Sequence, residues 1–85
     1  MRISMWTVYI LECVDKTFYT GITVDVDRRV VEHDRGLGAK YTKGRGPVRV
    51  VYTEICADRS AASKRESQIK QLKRSEKIKL IEGDL

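Results

Sequence analysis

Residues 8–23 read VYILECVDKTFYTGIT, two short apolar runs parted by a tight polar turn, with a tyrosine near the middle of each run. Trp6 to Cys13 and Phe18 to Thr23 are β-branched and aromatic in character, and Asp15 and Lys16 between them are turn formers, so a β-hairpin is expected. On paired antiparallel strands, opposed residues share a face, and so do residues two apart along one strand. Tyr9 and Tyr19 then meet on one face if the connecting loop has an odd number of residues, three or five, or if a bulge shifts the register. Two core aromatics with hydroxyls at a rim would satisfy the same pattern.

At 85 residues the chain sits near the size where one core is only just sufficient, so a single domain over 1–85 is expected, with an ordered core of about 5–82. Its hydrophobic fraction of 41% is too high for a disordered chain of this charge. The net charge is +5, and fifteen of the seventeen basic residues lie from Arg28 onward. That asymmetry favours an anionic partner, a phosphate backbone being the commonest, against a merely solvated Lys-rich surface. No stretch is long and apolar enough to span a membrane, and no signal-peptide h-region opens the chain. Cys13 and Cys56 sit apart in apolar runs and read as reduced core thiols, which points to the cytoplasm. One histidine and two isolated cysteines argue against a zinc site.

Beyond the hairpin, Thr23 or Asp25 can cap a helix that Gly36 stops. The segment GLGAKYTKGRGP (36–47) is a glycine-rich basic loop. Val48 to Cys56 reads as a third strand. Asp58 or Ser60 caps a helix through about Leu72, and Ser75 a shorter one through about Ile81. The expected fold is α+β, a three-stranded antiparallel sheet flanked by helices in the order β-β-α-β-α-α.

Helical phase separates the charges. Val26, Arg29, Val30 and His33 share an arc of about 100°, which sets Arg29 and His33 on or beside the apolar face and Arg28 toward water. In the second helix Ala62, Glu66 and Ile69 recur at i, i+4, i+7, so Glu66 stands among core-facing residues and needs a cation: a metal, an arginine or both. Lys64, Lys70, Lys73 and Lys77 mostly point elsewhere. A structural Arg29–Glu66 ion pair, or a His33 that merely caps its helix, would be the plainer outcomes.

The segments VYI (8–10), YTG (19–21), DRRVVEH (27–33) and SKRESQIK (63–70), in this order, resemble the GIY-YIG nuclease superfamily; GAKYTKGRGPVRVVY (38–52) resembles its small, single-domain bacterial branch. Val8 stands where the first motif has its glycine, and Ser67 where many members carry asparagine. The resemblance implies phosphodiester cleavage of DNA, branched or damaged forms included, in repair, recombination or restriction. It implies a single divalent ion, Mg²⁺ or Mn²⁺, held by Glu66. Tyr9 matches the tyrosine that activates water, Tyr19 the one that positions water or phosphate, Arg29 the arginine on the scissile phosphate, and His33 a position that assists the leaving group or holds Tyr9. Gly21 matches the motif glycine that permits close backbone approach. A free tyrosine titrates near pH 10, so Tyr9 as a base needs help from cations. Lys40, Lys43, Arg45 and Arg49 are candidates for flanking phosphates and Tyr41 for base stacking or packing. No second DNA-binding domain is expected within these 85 residues, so a protein partner that supplies targeting is a candidate, and the oligomeric state is left open. The alternative function is a nucleic-acid-binding or protein-interaction module that keeps the fold with little or no catalysis.

Overall fold

The computed structural model describes residues 5–37 and 44–83. The elements run in the expected order: β1 (Trp6–Glu12), β2 (Phe18–Thr23), α1 (Val26–Asp34), β3 (Arg49–Cys56), α2 (Arg59–Lys70) and α3 (Arg74–Glu82). The three strands form one antiparallel sheet in the order β2-β1-β3, so β1 is central.

The hairpin register answers the tyrosine question. Glu12 pairs with Phe18, so the loop is the five residues 13–17, an odd number. Tyr9 pairs with Gly21 and Leu11 with Tyr19, which puts both tyrosines on one face. The loop is tied internally by Cys13 N–H to the Thr17 carbonyl at 2.8 Å and by Thr17 N–H to Asp15 Oδ1 at 3.1 Å, while Lys16 takes a left-handed φ of 69°. On the other side of β1 the pairing steps from Ile10–Tyr52 to Leu11–Val50, so Val51 is the extra residue of a bulge in β3.

Val8, Tyr9, Ile10 and Leu11 are all buried, because β1 is covered on both faces. The even residues Val8 and Ile10 pack with Ala62 and Ile69 of α2 and Leu80 of α3. The odd residues Tyr9 and Leu11 join Cys13, Val48, Tyr19 and Val30 of α1. The sheet therefore separates two small cores, α1 lying over one and α2 with α3 over the other.

The caps choose between the alternatives of the sequence. Asp25 caps α1, its Oδ1 accepting from Arg28 N–H at 3.1 Å, and Thr23 Oγ1 in turn accepts from Asp25 N–H at 3.1 Å. Asp58 caps α2 through Ala61 N–H at 2.8 Å, and that helix ends at Lys70, short of Leu72. The third helix departs from expectation. It is entered at Lys73, not Ser75, because Glu76 at the third helical position reaches back to accept from Lys73 N–H at 2.8 Å. That bond satisfies a backbone donor at the helix start without a hydroxyl cap. Among the described residues no helix is long and apolar enough to cross a membrane.

Candidate functional site

The site is built outward from Gly21. A Cβ placed on this glycine would lie 2.5 Å from Tyr9 Oη, 2.7 Å from Tyr9 Cζ and 3.1 Å from Tyr19 Cε2. The phenol of Tyr9 therefore lies across β2 directly over Gly21, in space that any side chain would fill. β2 is an edge strand, so this passage carries the hydroxyl from the central strand to the rim of the sheet.

His33 meets it there. The helical phase that put His33 on the inner arc of α1 holds: the residue is wholly buried, and its Nε2 lies 3.0 Å from Tyr9 Oη. It is neither a surface nor a capping histidine. Tyr19 packs beside both, its ring centroid 5.0 Å from His33 and 6.3 Å from Tyr9. Burial pushes the His33 imidazole below its ordinary pKa, and the positive charge of Arg29 pushes the same way. The neutral ring can accept from the Tyr9 hydroxyl through Nε2, provided that Nδ1 carries the proton. Burial raises the Tyr9 phenol above its usual range; Arg29 pulls against that rise, while Tyr19 and Glu66 reinforce it.

Arg29 and Arg28 part as helical phase requires. Arg28 is 76% exposed, whereas Arg29 is 32% exposed and turned toward Tyr9. The hydrogen-bonding partner of Arg29 is Glu32, Nη1 to Oε1 at 3.1 Å, and its guanidinium acts on the Tyr9 phenol from nearby. Glu66 arrives from α2, on the other side of the sheet, and acts on the same phenol through its charge. Its carboxylate is 23% exposed and paired with Lys70 at 3.4 Å, so the cation beside Glu66 is a lysine read from sequence as solvent-facing. The plainer outcome, a buried Arg29–Glu66 ion pair, is not the arrangement: Arg29 pairs with Glu32 and Glu66 with Lys70.

The basic segment divides differently. Lys40, Tyr41 and Lys43 lie outside the described residues. Arg45 Nη1 lies 2.7 Å from Asp15 Oδ2, which ties the segment to the hairpin loop, and Arg49 Nη2 lies 2.8 Å from Glu12 Oε1. Both arginines thus have carboxylate partners that sequence separation concealed.

Other contributors escaped the sequence reading. Asp34 Oδ1 accepts from Val48 N–H at 2.6 Å and so fastens the end of α1, next to His33, to the approach of β3. Glu32 pairs with both arginines from one turn away, a relation readable from its i+3 and i+4 spacing. Glu54 accepts from both Tyr52 Oη at 2.6 Å and Arg65 Nε at 3.0 Å, joining β3 to α2. A cleft of about 360 Å³ opens beside Arg29, between the starts of α1 and α2.

Known proteins resemble this chain over most of its length. The family described as the GIY-YIG catalytic domain matches residues 5–79. A UPF0213 protein of Natronomonas pharaonis is 55% identical over 74 residues, 87% of each chain, and one of Clostridium perfringens is 49% identical over 74 residues, 87% of this chain and 80% of that one. The solution structure of a UPF0213 protein from Bacillus halodurans superimposes with a TM-score of 0.60 at 47% identity, over 92% of this chain and 83% of that one. A second solution structure, of an E. faecalis protein, gives a TM-score of 0.64 at 38% identity, over 93% and 84%. With the match running through both strands of the tyrosine hairpin, α1 and α2, the chain belongs to the GIY-YIG family of the nuclease superfamily.

Proposed function

We infer that the chain is a divalent-metal-dependent nuclease that cuts DNA phosphodiester bonds, with Tyr9, Tyr19, Arg29, His33 and Glu66 as its working residues. The observation that carries this reading is the buried Tyr9–His33 hydrogen bond at 3.0 Å, set under the charge of Arg29. A buried tyrosine with a raised pKa is a poor base alone. Joined to a neutral imidazole, it passes its own proton to His33 Nε2 as it takes one from water. The resulting hydroxide attacks phosphorus, and the bond to the leaving oxygen breaks with its electron pair going to that oxygen, which takes a proton from solvent. Arg29 opposes a proton on His33, since Glu32, shared with Arg28, offsets only part of its charge. A phosphate seated on Arg29 relieves that opposition, which couples substrate binding to readiness of the base. Tyr19, half-buried against His33, orients the water or a phosphate oxygen.

Glu66 suits a hard cation. Its partner Lys70 is an exposed i,i+4 lysine, readily displaced. No group of three or more His, Cys, Asp or Glu that could hold a metal occurs among the described residues. One carboxylate, water and substrate phosphate together match the habits of Mg²⁺, which keeps much of its hydration shell. When bound, such an ion supplies Lewis-acid neutralisation of the phosphate.

The test is cleavage of plasmid and branched DNA with Mg²⁺ or Mn²⁺, set beside Tyr9→Phe and Glu66→Ala. Metal-dependent cutting lost in both variants supports the reading. Cutting that survives chelation or both substitutions overturns it, and DNA binding without cutting leaves the non-catalytic module.

A further inference from the structure

The cleft beside Arg29 is walled by Trp6 at the start of β1, by Thr23 and Asp25 leading into α1, by Arg28, Arg29 and Glu32 of α1, and by Arg59 of α2. Its charges are mostly settled among themselves. Asp25 caps α1, and Glu32 is shared by Arg28 at 3.6 Å and Arg29 at 3.1 Å. Arg59 is different: among the described residues none of the ion pairs involves it, and its guanidinium lies 5.4 Å from the centroid of the Trp6 ring.

Arg59 also gains nothing from the helix dipole, which the neighbouring Asp58 cap already answers. Arg59 is the first residue of α2, a helix with no acid in its first turn, so a cation sits at the positive end of the helix dipole. Cations are favoured at the other end. A cation–π contact over an indole restrains a guanidinium while its N–H groups stay available to a planar or tetrahedral anion. A residue that breaks a local rule, has no carboxylate partner and is pre-oriented toward a cleft has the properties of a ligand contact.

We propose that this cleft seats a phosphate of the DNA strand flanking the scissile one, with Arg59, held over Trp6, as its principal contact and Arg28 as its second. The proposal rests on the nuclease reading for its choice of ligand. Arg29 lines the same cleft and faces Tyr9, so the strand would pass from the tyrosine–histidine site directly into it. The exposed side chain of Arg28, read from sequence as turned toward water, then has a role beside Arg29. Phosphate contacts of this kind add affinity and register without base preference.

Trp6 is the sole tryptophan, so the site carries its own probe. The experiment follows tryptophan emission and fluorescence anisotropy as the full chain, carrying Glu66→Gln to prevent cutting, is titrated with a labelled single-stranded or duplex oligonucleotide at several salt concentrations. Saturable change in Trp6 emission is expected at the same midpoint as the anisotropy. Arg59→Ala should lower the salt slope by about one, so that the affinity lost between 50 and 200 mM salt shrinks about 3.5-fold. Arg28→Gln, at an exposed position that folding does not need, should act in the same direction. Lys64→Ala, on α2 outside the cleft, should change nothing. If the oligonucleotide binds but Trp6 stays silent and both cleft variants keep the parental slope, the cleft proposal fails while the nuclease reading stands. If no DNA binds at any salt, the nuclease reading fails first and takes the proposal with it.

Discussion

Gly21→Ala is the substitution that most directly probes how the site is assembled. The backbone at Gly21 is ordinary strand, paired with Tyr9, so alanine meets no conformational penalty there. The whole effect is steric. The new methyl would stand 2.5 Å from Tyr9 Oη and 2.7 Å from Cζ, and the phenol it meets is 1% exposed, so the ring has little room to retreat. Overpacking of a filled core costs about 1–3 kcal/mol. Pushing the hydroxyl off His33 costs about 1–3 kcal/mol more, because a buried hydrogen bond is broken rather than exchanged for water. The low end of that sum, about 2 kcal/mol, is worth a fall in melting temperature of about 8–16 °C in a domain this small. A thermal double-mutant cycle isolates the hydroxyl. In a Tyr9→Phe background the closest conflict is gone and only the ring-carbon contact remains, so Gly21→Ala should cost less there, by about 1 kcal/mol. Melting within about 2 °C of the parent, well inside the shift of a single kcal/mol, would refute the placement of the phenol over Gly21. So would an equal penalty in the two backgrounds.

Glu66→Gln should abolish metal-dependent cleavage while moving the melting temperature by less than about 4 °C, since its i,i+4 pair with the exposed Lys70 is worth only about 0.3–0.5 kcal/mol; a large melting loss with activity retained per folded molecule would mark Glu66 as structural. His33 is held below its ordinary pKa, so its contribution to stability is fully present above about pH 6.5 and is lost as the pH falls toward the lowered folded value, where the unfolded chain binds a proton that the folded chain refuses. Urea midpoints measured from pH 7.5 down to 5 should therefore fall more steeply in the parent than in His33→Gln, whereas cleavage per folded molecule should persist through the upper part of that range and fade only as the pH falls through the lowered folded value and the proton acceptor is filled. Asp34→Ala removes the 2.6 Å bond from Val48 N–H and should cost about 2 kcal/mol, read as a melting loss of about 8–16 °C.

What could be read from sequence was whatever depended on period and on short spacing. The 100° arc separated Arg29 and His33 from Arg28, and the structure keeps that division. The hairpin was legible as a hairpin, and the odd-loop condition narrowed its register to the one found, although only the paired strands show that five residues turn the corner. What could not be read depended on long-range topology. Arg45 and Asp15 stand thirty residues apart, and Arg49 and Glu12 thirty-seven, so a basic segment next to a glycine-rich loop looked like charge awaiting phosphate. Ser75 looked like a cap because serine usually is one; Glu76 reaching back to Lys73 won by supplying the bond two residues earlier. The cleft at Arg59 depends on the meeting of two helix starts with Trp6, an encounter no local window contains. Glu66 was assigned the right face, but its companion Lys70 was not foreseen.

The central strand alternates its allegiance residue by residue, Tyr9 and Leu11 to one layer, Val8 and Ile10 to the other. Such a strand has no spare reading frame. A one-residue insertion or deletion anywhere in Trp6–Glu12 would exchange the layers, sending the phenol among the aliphatic side chains of α2 and α3 and an isoleucine toward His33. The neighbouring strand β3 already absorbs an extra residue at Val51 and presents mostly half-exposed or exposed positions. Length variation in chains of this architecture should accordingly collect in β3 and the segment before it, while β1 keeps its count even where its letters drift.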